Sequence, residues 1–216
     1  VKREFQDKAD FAAEIIKRLR KLYPHARAEL DHSNAFELLV GSILAAQNTD
    51  ANVNKVTPVL FRKYRGPADY AAADPAELEK DIYTCGFFRQ KAKTLIALSR
   101  KLMTDFGGEL PRTMDEMLSL PGVGRKTANV VLGEAMGIAA GIVVDTHNIR
   151  LSQLLGLSKE KTADKIERDL MQVVPKRHWI NFGQWITWHG RRVCVARRPK
   201  CGECVLADIC PSRQGE

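Results

Sequence analysis

Four cysteines close the chain, Cys194, Cys201, Cys204 and Cys210, in the spacing C-x6-C-x2-C-x5-C. Four thiolates can hold either tetrahedral zinc or a four-iron cluster, and the chemistry alone leaves both open. Five cysteines in all, four of them in the last 23 residues and no charged-then-apolar leader ahead of them, argue against a disulfide framework. The fifth, Cys85, lies far off in sequence and reads as a buried apolar residue. A second constellation is Gly122-Val123-Gly124 followed at once by Arg125 and Lys126 and then by an apolar helical pattern. Glycines permit unusual dihedrals and the close approach of another backbone, and a helix start offers free N–H groups and partial positive charge. Together they suit a phosphate. The segment 191–200, RRVCVARRPK, adds five basic residues and no acidic one. The whole chain carries a net charge of +8 with a pI near 9.3. That excess suits either a soluble basic surface or a polyanionic partner, and its clustering favours nucleic acid.

The elements that must position these groups read as helical. Phe11, Ile15, Ile16, Leu19 and Leu22 imply an opening amphipathic helix that stops near Tyr23-Pro24. Asn34 is a natural N-cap for an apolar helix from Phe36 to Ala46, and Asp50 can cap the next, which Pro58 should kink. Pro67 and Pro75 sit near the starts of two short helices. A longer one covers 88–105 and is closed by Gly107-Gly108. Thr113 and Glu116 form a capping-box pattern before the glycine hairpin, and a helix should then run to about Gly137. Further helices are expected near 145–155, 159–172 and 176–190. Clear strand alternation is absent, although Ile142 to Val144 is β-branched. The chain of 216 residues, 44% apolar and 28% charged, has the composition of a soluble globular protein. Its longest candidate span, 137–144, is far below the roughly 20 apolar residues that cross a bilayer. Work inside the cell, at the nucleoid or in a nucleus or organelle, is the expectation, with no membrane partner.

The chain resembles the endonuclease III family of DNA repair glycosylases. LPGVGRKTANVVL (120–132) matches that family's helix-hairpin-helix motif, and VDTHNIR (144–150) its catalytic-aspartate segment. AAQNTD (45–50), CGFFRQKA (85–92) and the cysteine array extend the match, in order, over nearly the whole length. The resemblance implies that Lys126 is the catalytic lysine and Asp145 the catalytic aspartate. A lysine amine can attack the anomeric carbon of a sugar and form a Schiff base, provided desolvation or a helix dipole keeps it neutral part of the time. A carboxylate can stabilise positive charge on that sugar and assist proton transfers, and it is also a favoured N-cap. The resemblance further implies a [4Fe–4S] cluster on the four cysteines. Gly122, Gly124 and Arg125, and the loop residues Arg197, Arg198 and Lys200, should meet the DNA backbone. Gln47 and Phe87 should fill the gap left by an extruded nucleotide. Asp50 at the pocket mouth and His147 at a phosphate or capping the turn complete the DNA contacts. Lys126 and Asp145 stand one position further apart than in the family, which implies one extra residue in the connection 137–141. Trp179, Trp185 and Trp188 read as packing residues rather than stacking platforms.

The expected architecture is all-α: a six-helix domain over 28–138 ending in the hairpin, and a cluster domain formed by 1–27 with 139–216, the active site lying in the cleft between them. The expected partner of this monomer is double-stranded DNA carrying damaged pyrimidines or abasic sites. The expected activity is that of a bifunctional glycosylase and AP lyase. Two alternatives stand beside it. A monofunctional adenine or uracil mismatch glycosylase shares the cluster, but such relatives generally lack the lysine. A noncatalytic iron–sulfur DNA-binding module would not need Lys126 and Asp145.

Overall fold

The computed structural model describes residues 7–214, in which every regular element is helical: eleven α-helices with short 3-10 and π turns between them. The chain divides into two compact units, one spanning Ala28–Ile138 and the other joining the chain up to Arg27 with the chain from Ala139 on.

In the first unit α2 (Ala35–Leu44) starts where Asn34 accepts the Glu37 N–H. It ends two residues short of the expected Ala46, because the chain turns out through Ala45 and Ala46 into an exposed loop. The next helix, α3 (Asp50–Lys63), is capped by Thr49, not by Asp50. The Thr49 hydroxyl takes the Asn52 N–H, and Asp50 occupies the first helical position, where its charge meets the positive end of the dipole. Pro67 and Pro75 are the first residues of α4 (Pro67–Ala71) and α5 (Pro75–Asp81), where a missing N–H costs nothing. Both short helices lie along α6 (Phe88–Phe106), which Gly107 ends in the left-handed conformation. The Thr113 hydroxyl accepts the Glu116 N–H and donates to the Glu116 carboxylate, opening α7 (Met114–Ser119). After the hairpin, α8 (Arg125–Val130) runs for six residues and loosens into a π turn over Val131–Ala135, which Gly137 closes. Leu38, Leu39, Leu44, Leu95, Leu98 and Leu132 have no exposed surface and anchor the core of this unit.

The second unit packs α1 (Lys8–Leu22) on α10 (Ala163–Val173) and α11 (Trp179–Arg192), with α9 (Thr146–Leu154) against both of these. Of the apolar positions read in α1, Ile15, Ile16 and Leu19 are buried and, with Ala12, join Ile166, Leu170, Phe182 and Ile186 in one core; Phe11 packs at its edge, and Leu22 is exposed. The three tryptophans pack as expected. Trp185 is buried, and the indole N–H groups of Trp179 and Trp188 donate to the carbonyls of Val174 and Arg27.

The β-branched run Ile142–Val144 forms no strand; it is a buried segment laid directly on α11. The contact is possible because Gly183 has no side chain. A Cβ there would stand 2.4 Å from the Val143 carbonyl oxygen. A helical alanine gains about 1 kcal/mol over glycine in propensity, whereas overpacking against backbone costs about 1–3 kcal/mol or more. Gly183→Ala is therefore expected to be net destabilising, read as a lowered thermal midpoint. An unchanged or raised midpoint would mean that the 142–144 segment yields.

Candidate functional site

The segment 142–144 delivers Asp145 to the start of α9. The Asp145 carboxylate is half-buried and caps that helix, with Oδ1 accepting the Asn148 backbone N–H at 2.9 Å. The Asn148 side-chain amide reaches the same Oδ1 at 3.0 Å, the Gly183 carbonyl at 3.1 Å and the Thr187 hydroxyl at 2.8 Å. The Thr187 hydroxyl donates to Oδ2 at 3.2 Å. Asn148 and Thr187 are buried, so both carboxylate oxygens are oriented by fixed donors from α9 and α11. One residue of α9 and one of α11 thus hold one carboxylate in place, a pairing that the linear sequence does not display. His147 follows on the same turn, its ring lying over Gly190 so closely that a Cβ there would come within 3.0 Å of it. The cap of the turn is Asp145, which leaves His147 free of that duty.

In the other unit the hairpin sits on α6. Gly122 has φ +75, and a Cβ on it would fall 2.2 Å from Cγ2 of Thr94. Both facts demand glycine. Gly124 is different: its backbone is extended at φ −93 and nothing lies within 4 Å of the Cβ position. It needs no dihedral freedom; it leaves the mouth of α8 open on the side where another backbone could approach. Lys126 is the second residue of α8 and is exposed.

Gln47 and Phe87 share a rare property. Among the described residues they are the two non-glycine residues with positive φ, at +55 and +46, and both side chains are exposed, Phe87 by 66%. Each left-handed residue of this kind costs about 1–3 kcal/mol and persists where surrounding structure imposes it. Lys91 bridges the two turns: its ammonium is buried and donates to the carbonyls of Leu44, Ala46 and Cys85, each at 2.8 Å. Leu44 and Ala46 precede Gln47; Cys85 precedes Phe87. Asn48 adds a bond to the Cys85 carbonyl and Asn52 one to that of Thr84. The turns carrying Gln47 and Phe87 are thereby held side by side. Cys85 itself is buried, as expected, and serves the site through its carbonyl. Lys91 was not singled out from sequence, because a lysine within QKAK on a helix reads as solvated.

The four terminal cysteines, none of them in a disulfide, line one cavity of about 50 Å³, walled by Leu151, Leu155 and Leu206. Donors converge on their sulfurs: the Leu206 N–H on Cys204 at 3.4 Å, the Arg150 guanidinium on Cys194 at 3.6 Å, and Nε2 of His189 on Cys204 at 3.3 Å. Burial, with Arg150 nearby, holds His189 down to about 4, so the ring is neutral near pH 7. The Tyr23 hydroxyl, 3.3 Å from Nδ1, can then donate there while Nε2–H faces the sulfur. Burial pushes the Cys204 thiol up, and the charges of Cys194, Cys201 and Cys210 add to the shift. Four mutually repelling thiolates amid N–H donors fit a positively charged inorganic core. Among the described residues no three His, Cys, Asp or Glu side chains are gathered as a single metal ion requires. The intervening residues Arg197, Arg198 and Lys200 are exposed.

Known proteins share this arrangement. Residues 40–176 match the family model of the HhH-GPD superfamily base excision DNA repair protein. Residues 194–210 match that of the iron-sulfur binding domain of endonuclease III. Endonuclease III of Synechocystis sp. is 52% identical over 98% of this chain and 97% of its own. That of Escherichia coli K12 is 38% identical over 93% and 95%. A trapped covalent intermediate of an endonuclease III with DNA superposes with a TM-score of 0.89 at 42% identity, covering 96% of this chain and 97% of that one. A thermostable thymine-DNA glycosylase superposes at 0.81 with 25% identity over 95% and 96%.

Proposed function

The chain belongs to the endonuclease III family of base excision DNA repair proteins, and from that premise we propose that Lys126 and Asp145 carry out excision of oxidised pyrimidines and strand scission. The protein is a DNA glycosylase and AP lyase. The damaged nucleotide is extruded from duplex DNA, and Gln47 and Phe87 occupy the space it leaves. The open mouth of α8 at Gly122 and Gly124, with Arg125, receives a backbone phosphate. Arg197, Arg198 and Lys200 meet the backbone elsewhere, and His147 and Asp50 border the bound strand.

The flipped sugar covers Lys126 and removes it from water. The neutral amine attacks C1′, the N–C1′ bond forms, and the glycosidic bond breaks as the base departs with a proton. Asp145, its two oxygens oriented by Asn148 and Thr187, faces the positive charge that develops on the sugar and relays the amine's proton. The C1′–O4′ bond then breaks, O4′ taking a proton as the sugar ring opens, and the nitrogen lone pair forms the C1′=N bond of a protonated Schiff base, which acidifies C2′. Loss of a C2′ proton expels the 3′ phosphate, nicking the strand 3′ to the lesion, and water then frees the lysine. Cys194, Cys201, Cys204 and Cys210 would hold a [4Fe–4S] cluster, which would supply a structural tie for the basic loop; no step of the reaction passes through it. The working form is a monomer acting within the cell. No helix among the described residues is long and apolar enough to cross a membrane.

The observation that carries this reading is an exposed lysine on the first turn beyond the hairpin, in a chain of this family. The test is borohydride trapping on a duplex carrying one thymine glycol. A covalent protein–DNA adduct is expected. Failure of cluster-loaded protein to form one, both there and at a preformed abasic site, would sink the Schiff-base mechanism.

A further inference from the structure

We propose that Lys91 is a positioning residue that couples the two gap-filling turns, so that Gln47 and Phe87 enter the duplex as one element. The proposal rests on the reading of those two residues given above. Lys91 is only 6% exposed. An ammonium carries three donors and no acceptor, and here all three are taken by the carbonyls of Leu44, Ala46 and Cys85 rather than by a carboxylate. Burying a cation on carbonyls alone is a costly way to join two loops. Burial indeed draws this amine below the ordinary lysine range. The carbonyls of Leu44 and Ala46 lie at the end of α2, where a helix presents partial negative charge, so the cation has a defined seat. The backbone N–H of the same residue bonds the Phe87 carbonyl at 3.0 Å. Lys91 therefore grips both turns from below while their side chains stand exposed above. Asn48 and Asn52 repeat the link at the surface, to the carbonyls of Cys85 and Thr84. One turn further along α6, Thr94 packs under Gly122. The helix thus aligns the paired turns with the hairpin that carries Lys126.

The discriminating experiment compares Lys91→Met, similar in length but without charge or donors, with wild type on two substrates. One is a duplex containing thymine glycol. The other is a single-stranded oligonucleotide with an abasic site, whose sugar is reachable with no gap to fill. Loss on the duplex of about tenfold, the scale of coupling within one shared network, is expected, with little change on the single strand. In a Phe87→Ala background, Lys91→Met should add little further loss. Equal losses on both substrates, or fully additive losses with Phe87→Ala, would overturn the coupling role. Circular dichroism and the visible absorbance of the cluster report folding. If Lys91→Met does not fold, Asn48→Ala, which cuts the surface link, should show the same selective loss at smaller size; unchanged duplex processing there would overturn the proposal. Absence of any wild-type adduct on both the duplex and the single strand would overturn the Schiff-base reading, and the coupling proposal with it.

Discussion

Lys126→Gln should abolish the borohydride-trapped adduct and lower strand scission by at least about a thousandfold, the scale of loss when a reacting group is deleted. Lys126 is exposed on the second position of α8. The core touches little of its side chain, so the substitution should leave folding and cluster content unchanged. DNA binding should weaken only modestly, since Arg125 and the open N–H groups beyond Gly124 stay in place. Gel-resolved trapping with wild type alongside measures both outcomes. An adduct that persists in the variant would assign the chemistry to another amine.

Asp145→Asn isolates a second large effect. Asp145 has an observed role and a proposed one that a deletion would confuse: it caps α9, and the proposed mechanism has it offer a carboxylate to the sugar. Asparagine caps a helix about as well as aspartate, whereas alanine costs about 1 kcal/mol. The Asn148 N–H at 2.9 Å can donate equally to an amide oxygen. Thermal stability should therefore barely move, while excision and scission fall by roughly a hundredfold to ten-thousandfold. Single-turnover cleavage set beside a thermal melt provides the comparison. Activity within a few fold of wild type would reduce Asp145 to a cap.

Much of the frame was legible because it rests on local chemistry. Asn34, Thr113 and the paired helix-opening prolines act within one turn of their own position, so spacing alone identifies them. The four cysteines were legible as a set for the same reason, three of them lying within ten residues. What stayed hidden is nonlocal. Thr49 and Asp50 are both competent caps, and only the course of the loop after Ala46 decides for Thr49. Asn148 and Thr187 come together on Asp145 from different helices. Gly183 looks like an indifferent helical glycine until Val143 is seen against it. Lys91 is the plainest case: its role depends on three carbonyls up to 47 positions away, and no pattern around it distinguishes it from the solvated lysines of the same helix.

The π turn at Val131–Ala135 bears on how this family can lengthen. Its hydrogen bonds span five residues where an α-turn spans four, so it stores one residue within a helix without opening a loop. The resemblance implies one residue more between Lys126 and Asp145 than the family spacing, with the connection 137–141 as its expected place. The π turn offers another. A residue gained inside that helix is paid out as bulge, and the helix mouth that bears the lysine keeps its own turn intact. Insertions on this stretch are then tolerated by winding, and the reacting end of the helix is buffered from changes in chain length behind it.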